Sequence, residues 1–205
     1  MVETPHPEGA RLRRAAFLLV PTVVALVALV GFLLQRGADV VDFGVVPGAD
    51  APPLPADAGL RVTDADPAAA PPVGSVLTDG GWTEASAFVA RSVDADRPVV
   101  INLFASWCGP CEREMPLLNR VADREVGMDF LGVAHLDARR DAERFVAEQQ
   151  VVFTTLLDLD GEVASAVGGR GLPVTVAFDR SGTMVGRVFG ELTEESLESL
   201  LELVR

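Results

Sequence analysis

The chain contains no lysine: all 17 basic residues are arginine, against 30 acidic residues. A formal net charge of −13 leaves no basic face for nucleic-acid phosphates, so nucleic acid is excluded as a partner. The acidity itself reads as solubility. Cysteine is as scarce, with Cys108 and Cys111 alone, four positions from first to last. Two such cysteines cannot frame a domain in disulfides. There is no second CxxC, and of the two histidines, His6 and His135, the first lies in the N-terminal tail, which argues against a structural zinc site.

Charge is also missing from one long stretch. Residues 15–34, AAFLLVPTVVALVALVGFLL, carry none, and Thr22 is the clearly polar side chain among them. A helix of this length spans roughly 30 Å, the thickness of a bilayer's hydrocarbon core. Arg11, Arg13 and Arg14 precede the run, and Asp39 and Asp42 follow soon after it. The positive-inside rule then puts residues 1–14 in the cytoplasm as a tail, makes 15–34 a single-pass transmembrane anchor, and places the rest outside the cell membrane. A cleaved signal peptide is the competing reading, but Gln35-Arg36-Gly37-Ala38-Asp39 is a poor match to a cleavage site. Residues 35–72, rich in Ala, Pro, Asp and Gly, show no period and read as an extracytoplasmic linker; about 35 flexible residues would span on the order of 30–35 Å.

From residue 73 to 205 the pattern becomes that of a folded domain. Strands are expected at 73–77, 98–105, 129–136, 151–157, 174–179 and 184–189, the second as an unbroken apolar run suited to a central buried strand. Helices are expected at 83–93, from the CGPC to about 125 with a bend near Pro116, at 138–150, and briefly up to 167. A last helix follows Thr193 as N-cap, with Glu194 and Glu195 in its first turn. Arg180-Ser181-Gly182 has hairpin chemistry. The order βαβαβα, a short insertion, then ββα implies an α/β fold with parallel strands and a closing antiparallel hairpin.

The two cysteines fall where strand gives way to helix. A helix N-terminus offers free N–H groups and a partial positive charge, which favour thiolate over thiol. Cys108 would be the exposed nucleophile. Cys111, one turn on, can close a disulfide with it and resolve a mixed disulfide. Gly109 and Pro110 suit the first turn, and Trp107 would wall one side of the thiol. An inert i,i+3 disulfide would close too small a loop to stabilise much. Soft thiolates also admit copper(I). His135, at the C-terminal end of an expected central strand, could serve as a third ligand or a proton carrier, but a satisfied core or surface histidine is the favoured reading.

WCGPC at 107–111, the buried strand before it, and Gly171-Leu172-Pro173 downstream resemble the thioredoxin superfamily. Residues 107–116, WCGPCEREMP, are similar to the WCxPCxxExP pattern of its membrane-anchored TlpA/ResA/CcmG-like branch, with Glu114 and Pro116 in register. Residues 152–182 resemble that branch's insertion, proline loop and hairpin, and the anchor–linker layout matches. The resemblance spans about residues 73–204. It implies a thioredoxin-like fold, a mixed central sheet flanked by helices and preceded by one transmembrane helix and a linker. It implies a cis bond before Pro173, facing the dithiol, with the Leu172 backbone free to pair with extended substrate. Cytoplasmic thioredoxins hold a buried aspartate six residues before the first cysteine; here Asn102 stands there and cannot take a proton. Glu114, at i+3 from Cys111, is then the candidate proton acceptor, with a solvated helix carboxylate as the alternative; Glu112 reads as solvated. The branch's upstream hairpin is not evident before residue 98, which weakens any reading of specific partner docking.

The resemblance implies a protein disulfide oxidoreductase with no cofactor beyond its cysteine pair. In this branch such proteins mostly reduce disulfides, as in cytochrome c maturation, and take electrons from a CcdA/DsbD-type membrane donor. A thiol oxidase for secreted proteins, or a copper(I)-binding chaperone using Cys108, Cys111 and His135, are the alternatives.

Overall fold

The computed structural model describes residues 60–74 and 76–205. The expected tail, the anchor at 15–34 and most of the linker lie outside the described residues. Six strands form one mixed sheet: β1 (Thr78–Asp79), β2 (Val99–Phe104), β3 (Asp129–His135), β4 (Thr154–Asp158), β5 (Val174–Phe178) and β6 (Met184–Phe189). Their order is β1-β4-β3-β2-β5-β6. The first four run parallel, and β5 and β6 close the other side antiparallel. The helices are α1 (Trp82–Asp94), α2 (Gly109–Arg124), α3 (Arg139–Glu148), α4 (Glu162–Val167) and α5 (Glu194–Glu202).

Strand parity sorts the core into two layers. Val100, Phe104, Phe130, Ala134 and Ala177 face α2, α3 and α5, and Phe104 stacks on Phe145 of α3 at 5.1 Å between ring centroids. Val99, Ile101, Leu103, Leu131, Val133, Val174, Val176 and Phe178 face α1 and α4. β2 is buried at every position, as its apolar run requires of a strand covered on both faces. Gly132 keeps a close approach in β3: a Cβ there would lie 3.0 Å from Phe153 and Thr155 and 3.1 Å from Phe104. The α2 helix runs unbroken through Pro116. Thr193 caps α5, its side chain accepting from the Ser196 N–H at 3.1 Å.

Two expectations need correction. The strand expected at 73–77 does not form; β1 is Thr78–Asp79. Gly74 has φ +75 and Leu77 φ +47, so the chain turns there, leaves Val73 and Val76 exposed and buries Leu77. Folded structure also reaches back at least to residue 60, into the stretch read as linker. The Val62 N–H donates to the Gly182 carbonyl and the Met184 N–H to the Leu60 carbonyl, each at 2.9 Å, and Arg61 bridges Thr183. Val62 is 7% exposed in the layer facing α1. Gly182, at φ +75, would carry a Cβ only 2.6 Å from the Val62 carbonyl oxygen, so the hairpin turn needs glycine twice over. Asp66 caps a short 3-10 turn at Pro67–Ala69, and Arg91 of α1 donates to the Pro71 carbonyl at 2.7 Å.

Candidate active site

The polypeptide leaves β2 at Phe104, turns through residues 105–107 and enters α2 at Cys108. The Cys108 N–H donates to the Ala105 carbonyl at 3.1 Å, closing that turn. Cys108 is the N-cap of α2, and its Sγ accepts from the Cys111 N–H at 3.3 Å. The two cysteines form a disulfide, with Cα atoms 5.3 Å apart. Cys108 is 5% exposed and Cys111 fully buried, so access to the pair is through Cys108. Trp107 stands 65% exposed beside it.

Beneath the pair lies a polar group inside the apolar layer. Glu114, one turn after Cys111 on the same buried face of α2, is 1% exposed. Its Oε1 accepts from Asn102 Nδ2 at 2.7 Å and its Oε2 from the Leu192 N–H at 2.7 Å. Asn102 Nδ2 also donates to Thr175 Oγ1 at 3.0 Å, while Asn102 Oδ1 is buried without a partner. Burial pushes the Glu114 carboxyl up to about 7, against the pull of the Leu192 and Asn102 hydrogen bonds and with a push from the Glu191 charge. Glu114 is therefore no solvated helix carboxylate, whereas Glu112 is exposed. Thr175 and the Leu192 N–H belong to this network and were not legible as site groups. Thr175 could have been found by parity, two residues past Pro173 in a strand paired with β2.

The Leu172–Pro173 bond is cis. Val174 pairs with Leu103, so Pro173 lies beyond β5 at the end of β2 from which the dithiol loop departs. Leu172 is half-buried and packs on both layers, one of which holds the two cysteines. His135 goes elsewhere. It shares the parity of Leu131 and Val133, and its ring lies where a Gly161 Cβ would be 3.0 Å from Cε1, at the start of α4. Its Nδ1 is 4.0 Å from Asp158 Oδ2. That is the face opposite α2, so His135 is neither a third ligand nor a proton carrier for the dithiol. A further carboxylate does reach the cysteine loop: Asp137, just after β3, accepts from the Ser106 N–H at 2.5 Å and from Ser106 Oγ at 2.9 Å.

A family model for Redoxin matches residues 77–201, which include both cysteines, Glu114 and Pro173. The chain belongs to the Redoxin family. Among curated proteins, the thiol-disulfide oxidoreductase ResA of Geobacillus kaustophilus is 29% identical over 136 residues, covering 65% of this chain and 78% of that protein. ResA of Halalkalibacterium halodurans is 30% identical over 109 residues, covering 52% of this chain and 62% of that one. The chain spans 62% of the length of several of these relatives. Among solved structures, Mycobacterium tuberculosis DsbF in mixed oxidised and reduced forms matches with a TM-score of 0.50 at 30% identity, over 53% of this chain and 82% of that one. A thiol:disulfide interchange protein DsbE from Chlorobium tepidum matches with a TM-score of 0.51 at 23% identity, over 56% and 84%, and speaks for the fold alone. The Redoxin domain is a thiol–disulfide oxidoreductase domain, similar to ResA, with its cysteine pair joined as a disulfide.

Proposed function

We propose that the Redoxin domain is held outside the cytoplasm by residues 15–34 and reduces disulfides in other proteins. The observation that carries the chemistry is the buried Glu114 carboxyl one turn below Cys111, raised to about 7. A group near neutrality can take a proton and return it at working pH. In the reduced domain the Cys108 thiolate, favoured by the N–H groups at the start of α2, attacks a substrate disulfide. A mixed disulfide forms and one substrate thiolate leaves. Cys111 passes its proton to Glu114 and its sulfur attacks Cys108 Sγ. The second substrate thiolate leaves, and Cys108–Cys111 remains as a disulfide. Two electrons have moved to the substrate, and a membrane donor of the CcdA/DsbD kind restores the dithiol.

Leu172 would present its backbone to an extended substrate segment beside Pro173, and Trp107 an apolar wall. Apocytochrome c before haem attachment is the substrate that the ResA-type likeness suggests. The Gly-Pro pair between the cysteines favours the reducing direction over thiol oxidation. The test has two arms. Reduced full-length chain should reduce insulin, and loss of that activity in Cys108→Ser is expected. A membrane-impermeant maleimide should label Cys108 in intact cells after mild reduction. Labelling only after lysis would overturn the outward placement, and failure to reduce insulin would overturn the direction.

A further inference from the structure

Asp137 is buried, 5% exposed, yet it is not part of the Glu114 network. Both carboxylate oxygens go to one residue: Oδ2 takes the Ser106 N–H at 2.5 Å and Oδ1 the Ser106 hydroxyl at 2.9 Å. Arg139, two residues on, turns to Asp79 and Glu143 instead. Hydrogen bonds to a carboxylate are the strong kind, and a two-pronged grip fixes orientation as well as distance. The grip has a backbone cost. Leu136, immediately before Asp137, is held at φ +48 with its side chain half exposed. That conformation is disfavoured for leucine and turns the chain so that Asp137 points inward.

Ser106 is the middle of the turn that ends in Cys108. The turn closes between the Ala105 carbonyl and the Cys108 N–H, and the next residues begin α2. Pinning Ser106 inward leaves Trp107 outward and seats Cys108 where its Sγ meets the Cys111 N–H. A loosened turn would let Cys108 drift from the helix N-terminus and lose the N–H groups that favour its thiolate. We propose that Asp137 is a positioning residue for thiol exchange: through Ser106 it holds the turn that seats the Cys108 sulfur at the N-terminus of α2. This rests on Cys108 being the attacking thiol.

The test is alkylation of the reduced full-length chain by iodoacetamide across about pH 5 to 9, with the modified cysteine identified by mass spectrometry. Asp137→Ala should raise the pH midpoint of Cys108 alkylation and slow the reaction at neutral pH roughly threefold to tenfold, the range expected when helix-terminus stabilisation of an anion is lost. Ser106→Ala removes only the hydroxyl bond and should act in the same direction but more weakly, and the double variant should be no slower than Asp137→Ala, because without the carboxylate the Ser106 hydroxyl has already lost its partner. Asp137→Asn retains an oxygen for the Ser106 N–H and should recover most of the rate. Val89→Ala, on the buried face of α1, lowers stability without touching the turn and should leave the midpoint in place. A wild-type midpoint in Asp137→Ala would overturn the proposal. So would an equal shift in Val89→Ala, or an Asn variant as slow as the Ala one. Alkylation first at Cys111 in the wild type would overturn both this role and the assignment of Cys108 as nucleophile.

Discussion

Replacing Glu114 by glutamine removes one titration from the centre of the domain, and its size can be worked out in advance. Burial raises the carboxyl from 4.5 to about 7, so the folded state binds a proton that the unfolded chain releases. A raised folded value means stability that is full below about 4.5 and lost as the pH climbs through about 7. At about 1.4 kcal/mol per pH unit of difference, the whole effect is about 3 kcal/mol, of which about 2.5 kcal/mol falls between pH 5 and 8.5. Glutamine cannot ionise and is close in shape. Its oxygen can still accept from the Leu192 N–H, and its NH2, placed against the Asn102 NH2, finds an acceptor once the Asn102 amide turns over to present the unpartnered Oδ1. Urea unfolding of the oxidised wild type and of Glu114→Gln at pH 5, 7 and 8.5 isolates the term, because the other titrating groups cancel in the difference. The variant should gain about 2–3 kcal/mol on the wild type between the lowest and highest pH. A difference that stays flat with pH would refute the buried, near-neutral carboxyl. The same variant should resolve mixed disulfides more slowly, read as slower release of the second thiol from a model disulfide.

Other outcomes follow from neighbouring contacts. Asn102→Asp puts a second carboxyl 2.7 Å from Glu114 Oε1, so the pair should share a proton and the loss of stability with rising pH should steepen, measured by the same unfolding series. Thr193→Ala removes the α5 cap and should cost about 1 kcal/mol at any pH with no change in dithiol reactivity. The Asp179 carboxyl accepts from Ser181 and Thr183 in the hairpin turn; partial burial raises it, but these bonds and the Arg61 charge outweigh that and hold it below the ordinary value. Asp179→Asn should therefore lose stability mainly above about pH 4, where the wild-type carboxylate is charged, and converge on the wild type as acid is added.

Much of this domain was readable because its signals are local. WCGPC follows an apolar run, Arg180-Ser181-Gly182 lies between two strand patterns, and Thr193 precedes two glutamates and a leucine stripe. Each is decided within a few residues of itself. Residues 60–70 were not readable, because their contribution is a few single apolar side chains and an edge pairing with Thr183, which leave no period in the sequence. Glu114 was legible as a spacing but not as buried, since its burial depends on Leu192 closing over it from the other end of the domain. His135 could have been placed correctly from parity: it follows Leu131 and Val133 at steps of two, so it had to share their face. Asp137 gave no signal, because its partner Ser106 is 31 residues away and joined to it only by the β2–β3 pairing.

The mechanism turns on attack by Cys108 and resolution by Cys111. Full-length chain carrying Cys111→Ala, expressed in living cells and collected after acid quenching of thiols, tests it directly. Mixed disulfides joining Cys108 to other proteins, absent in Cys108→Ala and released by reductant, are the result expected. Adducts that persist on Cys111 in Cys108→Ala, with none on Cys108 in Cys111→Ala, would contradict it.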